Sequence, residues 1–381
     1  MTVSAAVPGA ASDPDAGRGS LRGALMRGAA ALDGLVVPGS AVLVSVLLFG
    51  GFIALSGVNP LDMYEQMFRG AFGTWFSFQN SLQRAAPLML TGLCTALPAR
   101  LGLVVIGGEG ALVVGGVAAA ATATHMTGSS PYVVLTAMAL AAMLFGALWI
   151  GGAGALRALR GVNETISSLL LSYIGIAVCN HLIEGPLRDP ASLNKPSTLP
   201  IGDANMLGPV PGLDVHYGLI YGVVACLIAW VLMDHSVFGF SARIVGGNPR
   251  AARLSGLGVP KLMIIVCALA GAAAGLAGMV EVAAVHGKAN ASLAAGYGYT
   301  GILVAFLARQ SPLAIMPVAL LLGGISASGG LLQRTFNLPD ATVNVLQGIL
   351  FVVVLASETY RGKFDWFSRL VGASSLKGKA A

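Results

Sequence analysis

The ionisable side chains of this chain are spaced so that long stretches carry none. An Asp, Glu, Lys or Arg in the middle of a hydrocarbon layer is costly, and a helix needs about 20 apolar residues to cross a core roughly 30 Å thick. Uncharged runs of that length therefore restrict the fold more than any other feature. Between Asp33 and Asp62 lie 28 uncharged residues, and between Glu109 and Arg157 lie 47, which the turn-like stretch 125–131 divides into two crossings. The runs 165–183, 215–233 and 262–280 have 19 residues each, 289–308 has 20, 310–333 has 24 and 341–357 has 17. Only 10% of the 381 residues are charged and 56% are hydrophobic, whereas soluble domains carry about 25% charge. A soluble globular fold is excluded.

One run is short. Residues 85–99 number only 15, with Pro87 and Pro98 near the ends, and 101–108 continues the run after Arg100. A short or broken helix is expected here. Non-helical backbone at membrane depth is tolerated only where protein or a water-filled cavity surrounds it, so the region is a natural place for a transport path. With 85–99 and 101–124 counted as one crossing each, the chain is expected to be an all-α polytopic membrane protein of about ten transmembrane helices, some short or broken. Lys and Arg collect on the cytoplasmic side of membrane proteins. With the N-terminus inside, 16 of the 22 fall in cytoplasmic segments: the N-terminal tail, Arg100, Arg157 with Arg160, the stretch from Arg243 to Lys261, Arg309 and the C-terminal tail. Both termini are thus expected in the cytoplasm. The domain reading is a tail at 1–33, a transmembrane domain at 34–357 and a second tail at 358–381.

The net charge of +6 is dispersed among these segments, so no nucleic-acid partner is expected. Cys94, Cys179, Cys226 and Cys267 lie in apolar runs at unrelated spacings, without the Cys/His clustering that zinc requires, and read as small buried hydrophobes. Two segments outside the spans are long. The outer one, 184–214, is rich in Pro, Gly and Asn and is expected to be an ordered loop or short re-entrant piece with little regular structure, suited to an extracytoplasmic partner. In the inner one, 234–261, Asn248-Pro249 can open a helix, Ala251, Ala252 and Leu254 extend it, and Gly256 or Gly258 can close it.

The run Gly246-Gly247-Asn248-Pro249-Arg250-Ala251-Ala252-Arg253-Leu254-Ser255-Gly256 resembles the ATPase-coupling segment of permease subunits of bacterial ATP-binding-cassette importers, in the branch serving simple sugars, nucleosides and branched-chain amino acids. Three further stretches resemble the same branch: Gly102 to Gly110 (GLVVIGGEG), Val162-Asn163-Glu164 running to Leu171-Ser172-Tyr173, and Gly298 to Arg309 (GYTGILVAFLAR). The GGEG and VNE segments are closest to nucleoside and purine permeases. Val105 and Ser172 depart from the branch pattern, which has Asn at each.

The resemblance implies a permease subunit of an ATP-driven importer, in a bacterial cytoplasmic (inner) membrane, carrying a small polar solute such as a nucleoside, a purine or a simple sugar. It implies no cofactor on this chain, with ATP and Mg on a partner ATPase, since the chain has no GxxxxGK[ST]. Further implied partners are a second, distinct permease chain, an extracytoplasmic solute-binding protein or lipoprotein, and the lipid bilayer. Asn248, Pro249, Arg250, Ala251, Ala252, Arg253 and Gly256 would form the coupling helix.

The residues suggested for the translocation path are Glu109, Asn163, Glu164, Tyr173, Glu281 and Phe306. Intramembrane acids are functional hypotheses by default, yet each has a structural reading. Glu109 would cap the helix that follows it, Glu164 would sit at the start of its span, and Glu281, behind the small-residue stretch 270–278, would be buried beside His286 or Lys288. Tyr173, Tyr297, Tyr299 and Phe306 could stack on a base or sugar ring, or belong to interfacial belts. The alternative function is a proton- or sodium-coupled secondary transporter, with Glu109, Glu164 or Glu281 exchanging the coupling ion. An intramembrane enzyme is disfavoured by the lack of a catalytic constellation.

Overall fold

The computed structural model describes residues 39–339 and 341–360, an assembly of helices in which the described residues form no sheet, only two isolated bridges. In chain order the helices are α1 (Gly39–Leu55), α2 (Pro60–Phe68), α3 (Trp75–Ala99), α4 (Gly108–His125), α5 (Pro131–Arg160), α6 (Glu164–Glu184), α7 (Gly218–Asp234), α8 (Val237–Gly247), α9 (Pro249–Leu254), α10 (Val259–Glu281), α11 (Tyr297–Leu307), α12 (Pro312–Phe336) and α13 (Ala341–Tyr360). Each of the ten uncharged runs carries one of them: α1, α3 to α7 and α10 to α13.

By length and apolarity alone, α5, α6, α10 and α12 suffice to cross a membrane. The bent pairs α1–α2, at 119°, and α7–α8, at 69°, raise the number to six. The other expected crossings are shorter or more polar. α3 carries Gln79, Gln83 and Arg84, α4 begins with Glu109, and α11 has only 11 residues, about 16 Å of helix. Most of α3 and α4 is buried, Gln79 and Glu109 included, while Gln83 is half-buried and Arg84 exposed. The tails, 1–33 and the part of 358–381 beyond Tyr360, lie outside the described residues.

Residues 85–99 are neither short nor broken, contrary to expectation. They form the second half of α3, which starts ten residues earlier because the Thr74 hydroxyl accepts from the Ser77 N–H (3.0 Å) and caps the helix. Pro87 cannot donate to the Gln83 carbonyl, yet the helix runs on through it, and the Thr91 hydroxyl donates to the Pro87 carbonyl (2.9 Å). The break falls later, at 101–107, so that α4 opens at Gly108.

Two-thirds of the apolar stretch of α10 is buried, against 28% of that of α5. α10 is therefore the internal post, with α3, α4 and α5 around it. Its glycines permit this. A Cβ on Gly278 would stand 1.9 Å from the Leu112 carbonyl oxygen of α4, and one on Gly275 2.1 Å from the Ala142 oxygen of α5. Such backbone proximity is how helices gain packing energy in lipid, where little hydrophobic force pulls them together.

The segment between α6 and α7 is an ordered loop with one 3₁₀ turn at Asp203–Asn205, as expected. It is hydrogen-bonded to the chain after α10: Thr198 N–H to the Ala289 oxygen (2.9 Å), Ile201 N–H to Gly287 (2.9 Å) and Leu207 N–H to Ala283 (2.7 Å). At the opposite end, Asp234 meets Arg100 (3.4 Å) and Arg243 (3.6 Å). Charged segments assigned to one side by the Lys/Arg pattern thus come together.

Gly278→Val should prevent accumulation of folded protein in the membrane. Gly152→Val, where a Cβ meets nothing within 4 Å, should leave it unchanged. Size-exclusion profiles of detergent extracts measure both.

Candidate functional site

Helix is interrupted at two places, and each interruption is held by side chains from elsewhere. The first is the extended stretch after α3. Leu103 and Val105 are buried, and the backbone groups of Val104 and Ile106 turn toward α6. Val104 N–H donates to Glu164 Oε1 (3.4 Å), and the Thr165 hydroxyl donates to the Val104 carbonyl (2.9 Å). Ile106 N–H donates to Ser168 Oγ (3.0 Å), and Ser172 Oγ donates to the Ile106 carbonyl (3.5 Å) and accepts from Gly110 N–H (3.4 Å). On the other side the Thr95 hydroxyl donates to the Val105 carbonyl (3.4 Å). Glu164, Ser168 and Ser172 are spaced four apart and form one stripe along a helix. That stripe replaces the water the extended backbone would otherwise need.

The second interruption precedes α11. Both oxygens of Glu109 are used there: Gly296 N–H donates to Oε1 (2.7 Å) and Gly298 N–H to Oε2 (2.6 Å). Glu109 is 1% exposed. It does not cap its own helix, as expected from the sequence, but the N-terminus of α11, 187 residues away. The reason is tertiary. Gly298 packs on the first turn of α4, so the carboxylate faces the orphan N–H groups and positive dipole end of α11.

The other path candidates are placed as follows. Asn163 caps α6, its side-chain oxygen accepting from Thr165 N–H (2.9 Å) and Ile166 N–H (3.1 Å). Glu164 also pairs with Arg157 (3.2 Å). Glu281, 4% exposed, ends α10 with His286 Nε2 3.8 Å from its Oε2. Tyr173 is exposed and Phe306 is half-buried.

The inner segment between α7 and α10 contains the expected short helix, α9. Asn248 caps it through bonds from Arg250 N–H (3.0 Å) and Ala251 N–H (3.1 Å), with Pro249 at its first position. Gly256, at φ +81°, closes it. Gly256 N–H reaches the Arg253 carbonyl and Leu257 N–H reaches Ala252, both at 3.0 Å, which satisfies the last carbonyls with a left-handed residue. Ala252 is buried in the same cluster as Leu101 and Leu103, while Arg250, Ala251, Arg253 and Leu254 are exposed, Leu254 at 91%. α9 is thus pinned on one face and open on the other.

A second helix in this segment, α8, went unread in the sequence. Its signal is Ser236, whose hydroxyl accepts from Gly239 N–H (3.2 Å). α8 ends against α3, where a Cβ on Gly246 would stand 2.3 Å from the Arg100 carbonyl oxygen. Motion of α8–α9 is therefore in contact with the start of the extended stretch. The stripe on α6 was also missed, though its four-residue spacing is visible in the sequence.

Among the described residues the architecture is helical, with four to six apolar helices able to cross a membrane and a capped, half-exposed helix between α8 and α10, as a membrane transport protein requires. Residues 77–355 match the family described as branched-chain amino acid transport system / permease component, and the chain belongs to it. It is similar to the glucose ABC transporter permease protein TsgB13 of Haloferax volcanii, with 34% identity over 84% of this chain and 87% of that one. It is also similar to the guanosine ABC transporter permease protein NupP of Bacillus subtilis, with 29% identity over 87% and 95%, and to the nucleoside ABC transporter permease protein NupB of Lactococcus lactis, with 27% over 84% and 91%. The chain is a permease subunit of an ATP-binding-cassette importer, in the branch that includes simple-sugar and nucleoside systems.

Ser168→Ala strands the Ile106 N–H. The expected cost is about 1–3 kcal/mol, the usual penalty for an unpaired buried donor. Reaction of a cysteine placed at Val104 with a membrane-impermeant thiol reagent, measured with and without Ser168→Ala, should accelerate as the stretch loosens.

Proposed function

We propose that this permease imports a nucleoside or simple sugar across a bacterial cytoplasmic membrane, with α9 as the element that receives force from a separate ATPase. The observation that carries the reading is the geometry of α9: a closed, doubly capped helix whose exposed face presents Arg250, Arg253 and Leu254 and whose buried Ala252 joins the packed interior. A groove on the ATPase would take the exposed face. Displacement of α9 would pass through α8 and Gly246 to Arg100 and the extended stretch, where the α6 stripe can give way to a second arrangement. ATP and Mg belong to the partner, and this chain supplies the path.

The end bearing α9 is cytoplasmic in this reading, supported by the gathering of Arg100, Arg157, Arg243, Arg250 and Arg253 there. The opposite end, with the loop after α6, would receive a solute-binding protein or lipoprotein. A second, distinct permease chain would complete the path. Along it, Tyr173 and Phe306 would offer flat apolar faces, with Asn163 and Glu164 toward the cytoplasm and Glu281 toward the outside. Glu109 would hold α11, a wall of the path, in place. The bonds of Glu109 to two backbone N–H groups and of Glu164 to Arg157 give these acids structural partners, which favours ATP-driven import over coupling to a proton or sodium gradient.

Uptake of labelled guanosine and glucose into cells that express the chain with its ATPase, binding protein and partner permease tests this. Leu254→Asp and Arg253→Glu should each lower uptake at least tenfold, with the permease still in the membrane but no longer co-purifying with the ATPase. Ala252→Arg should fail earlier, by lowering abundance, because that side chain points inward. Uptake that persists without any ATPase and stops when the proton gradient collapses would overturn the reading.

A further inference from the structure

α13 reads in the sequence as nothing more than a last span, yet it carries an amide. Gln347 is 9% exposed, and its Nε2 donates to Ser326 Oγ of α12 (2.8 Å) while its Oε1 accepts from Thr300 Oγ1 of α11 (3.4 Å). Two hydroxyls on two helices therefore fix the plane of one amide. An amide has two N–H donors and two acceptor positions, so one N–H and one lone pair are left after these bonds. A bridge serving only to join helices needs neither.

The surroundings suit a ring. Tyr299 precedes Thr300 on α11 and is 37% exposed, and Tyr173 on α6 is 60% exposed. Their neighbours Gly298 and Ser172 bond to Glu109 and Gly110, adjacent residues at the start of α4. The residues beside the two tyrosines thus meet the same step of α4, and Thr300, bonded to Gln347, follows Tyr299 in the chain. Asn344, one turn before Gln347, is exposed.

We propose that Gln347, oriented by Thr300 and Ser326, is a specificity-determining group of the translocation path that recognises a vicinal diol on a furanose or pyranose ring lying against Tyr299 and Tyr173. One hydroxyl of the diol accepts from the free N–H and the other donates to the free lone pair. A site built to pair with a hydroxyl rejects an analogue lacking it, because its own polar groups are then stranded. This inference rests on the permease reading above, and it places recognition on this chain in addition to any made by the binding protein.

The test uses the complete importer in proteoliposomes, with the binding protein saturated by each solute so that differences report the path and not capture. The probes are guanosine against 2′-deoxyguanosine and glucose against 2,3-dideoxyglucose, the second member of each pair having no vicinal ring diol. Wild type should carry the diol-bearing member of its preferred pair faster than the deoxy member. Gln347→Met should lower uptake of the diol-bearing member about tenfold and leave the deoxy member unchanged, with stimulation of the ATPase by loaded binding protein retained. Thr300→Val, which removes one bond and is the milder change should Gln347→Met not reach the membrane, should shift the ratio in the same direction. An unchanged diol-to-deoxy ratio in both variants, whatever happens to abundance, would overturn the role of Gln347 while leaving ATP-driven import standing. Absence of ATPase-dependent uptake of every probe by wild type would overturn the permease reading, and this inference with it.

Discussion

Backbone N–H and C=O groups that leave helical pairing inside a bilayer find no water, and this architecture depends on how that debt is settled at two places. At 103–106 the partners are Glu164, Thr165, Ser168 and Ser172 of α6 with Thr95 of α3. Ahead of α11 they are the two oxygens of Glu109. Both solutions use side chains from a different crossing, so the interrupted segments are stable only while α3, α4, α6 and α11 keep their mutual positions. Those positions in turn rest on the glycine-lined contacts of α10 with α4 and α5.

That dependence is what makes the assembly useful as a permease. A continuous helix resists local rearrangement, because each bond removed must be replaced. The extended stretch is held by four hydroxyls and one carboxylate in place of a helical ladder, and it lies directly behind Arg100, where α8 packs on the backbone. α9 shares a packed cluster with Leu101 and Leu103. The capped helix on the surface and the stretch held by side chains inside are therefore adjacent.

Much of this was legible in the residues. The cost of charge in hydrocarbon makes the ten uncharged runs readable as crossings, and each holds a helix. Asn248-Pro249 and Gly256 are local signals of helix start and stop, and α9 begins and ends where they say. Legibility failed where the deciding partner is distant. Pro87 suggested a broken helix, but α3 runs on through it, buried among its neighbours from Ala85 to Pro98. Glu109 suggested a cap for α4, but Gly298 brings α11 within reach of it. The role of Ser168 and Ser172 could not be read locally, since it depends on an extended stretch that only the break after α3 creates.

Composition and spacing by themselves determined that the chain is membrane-embedded, which runs hold helices, where the short helix between α7 and α10 lies, and how four separated stretches resemble an importer permease. These are local or additive properties, carried by transfer free energy and capping chemistry that each segment has alone. Tertiary structure decided which acids are consumed by backbone, which side of α9 stays open, and that Thr300, Ser326 and Gln347 meet. Those outcomes depend on the proximity of residues far apart in the chain, and proximity arises only when backbones with glycine at their crossings pack within a few ångströms.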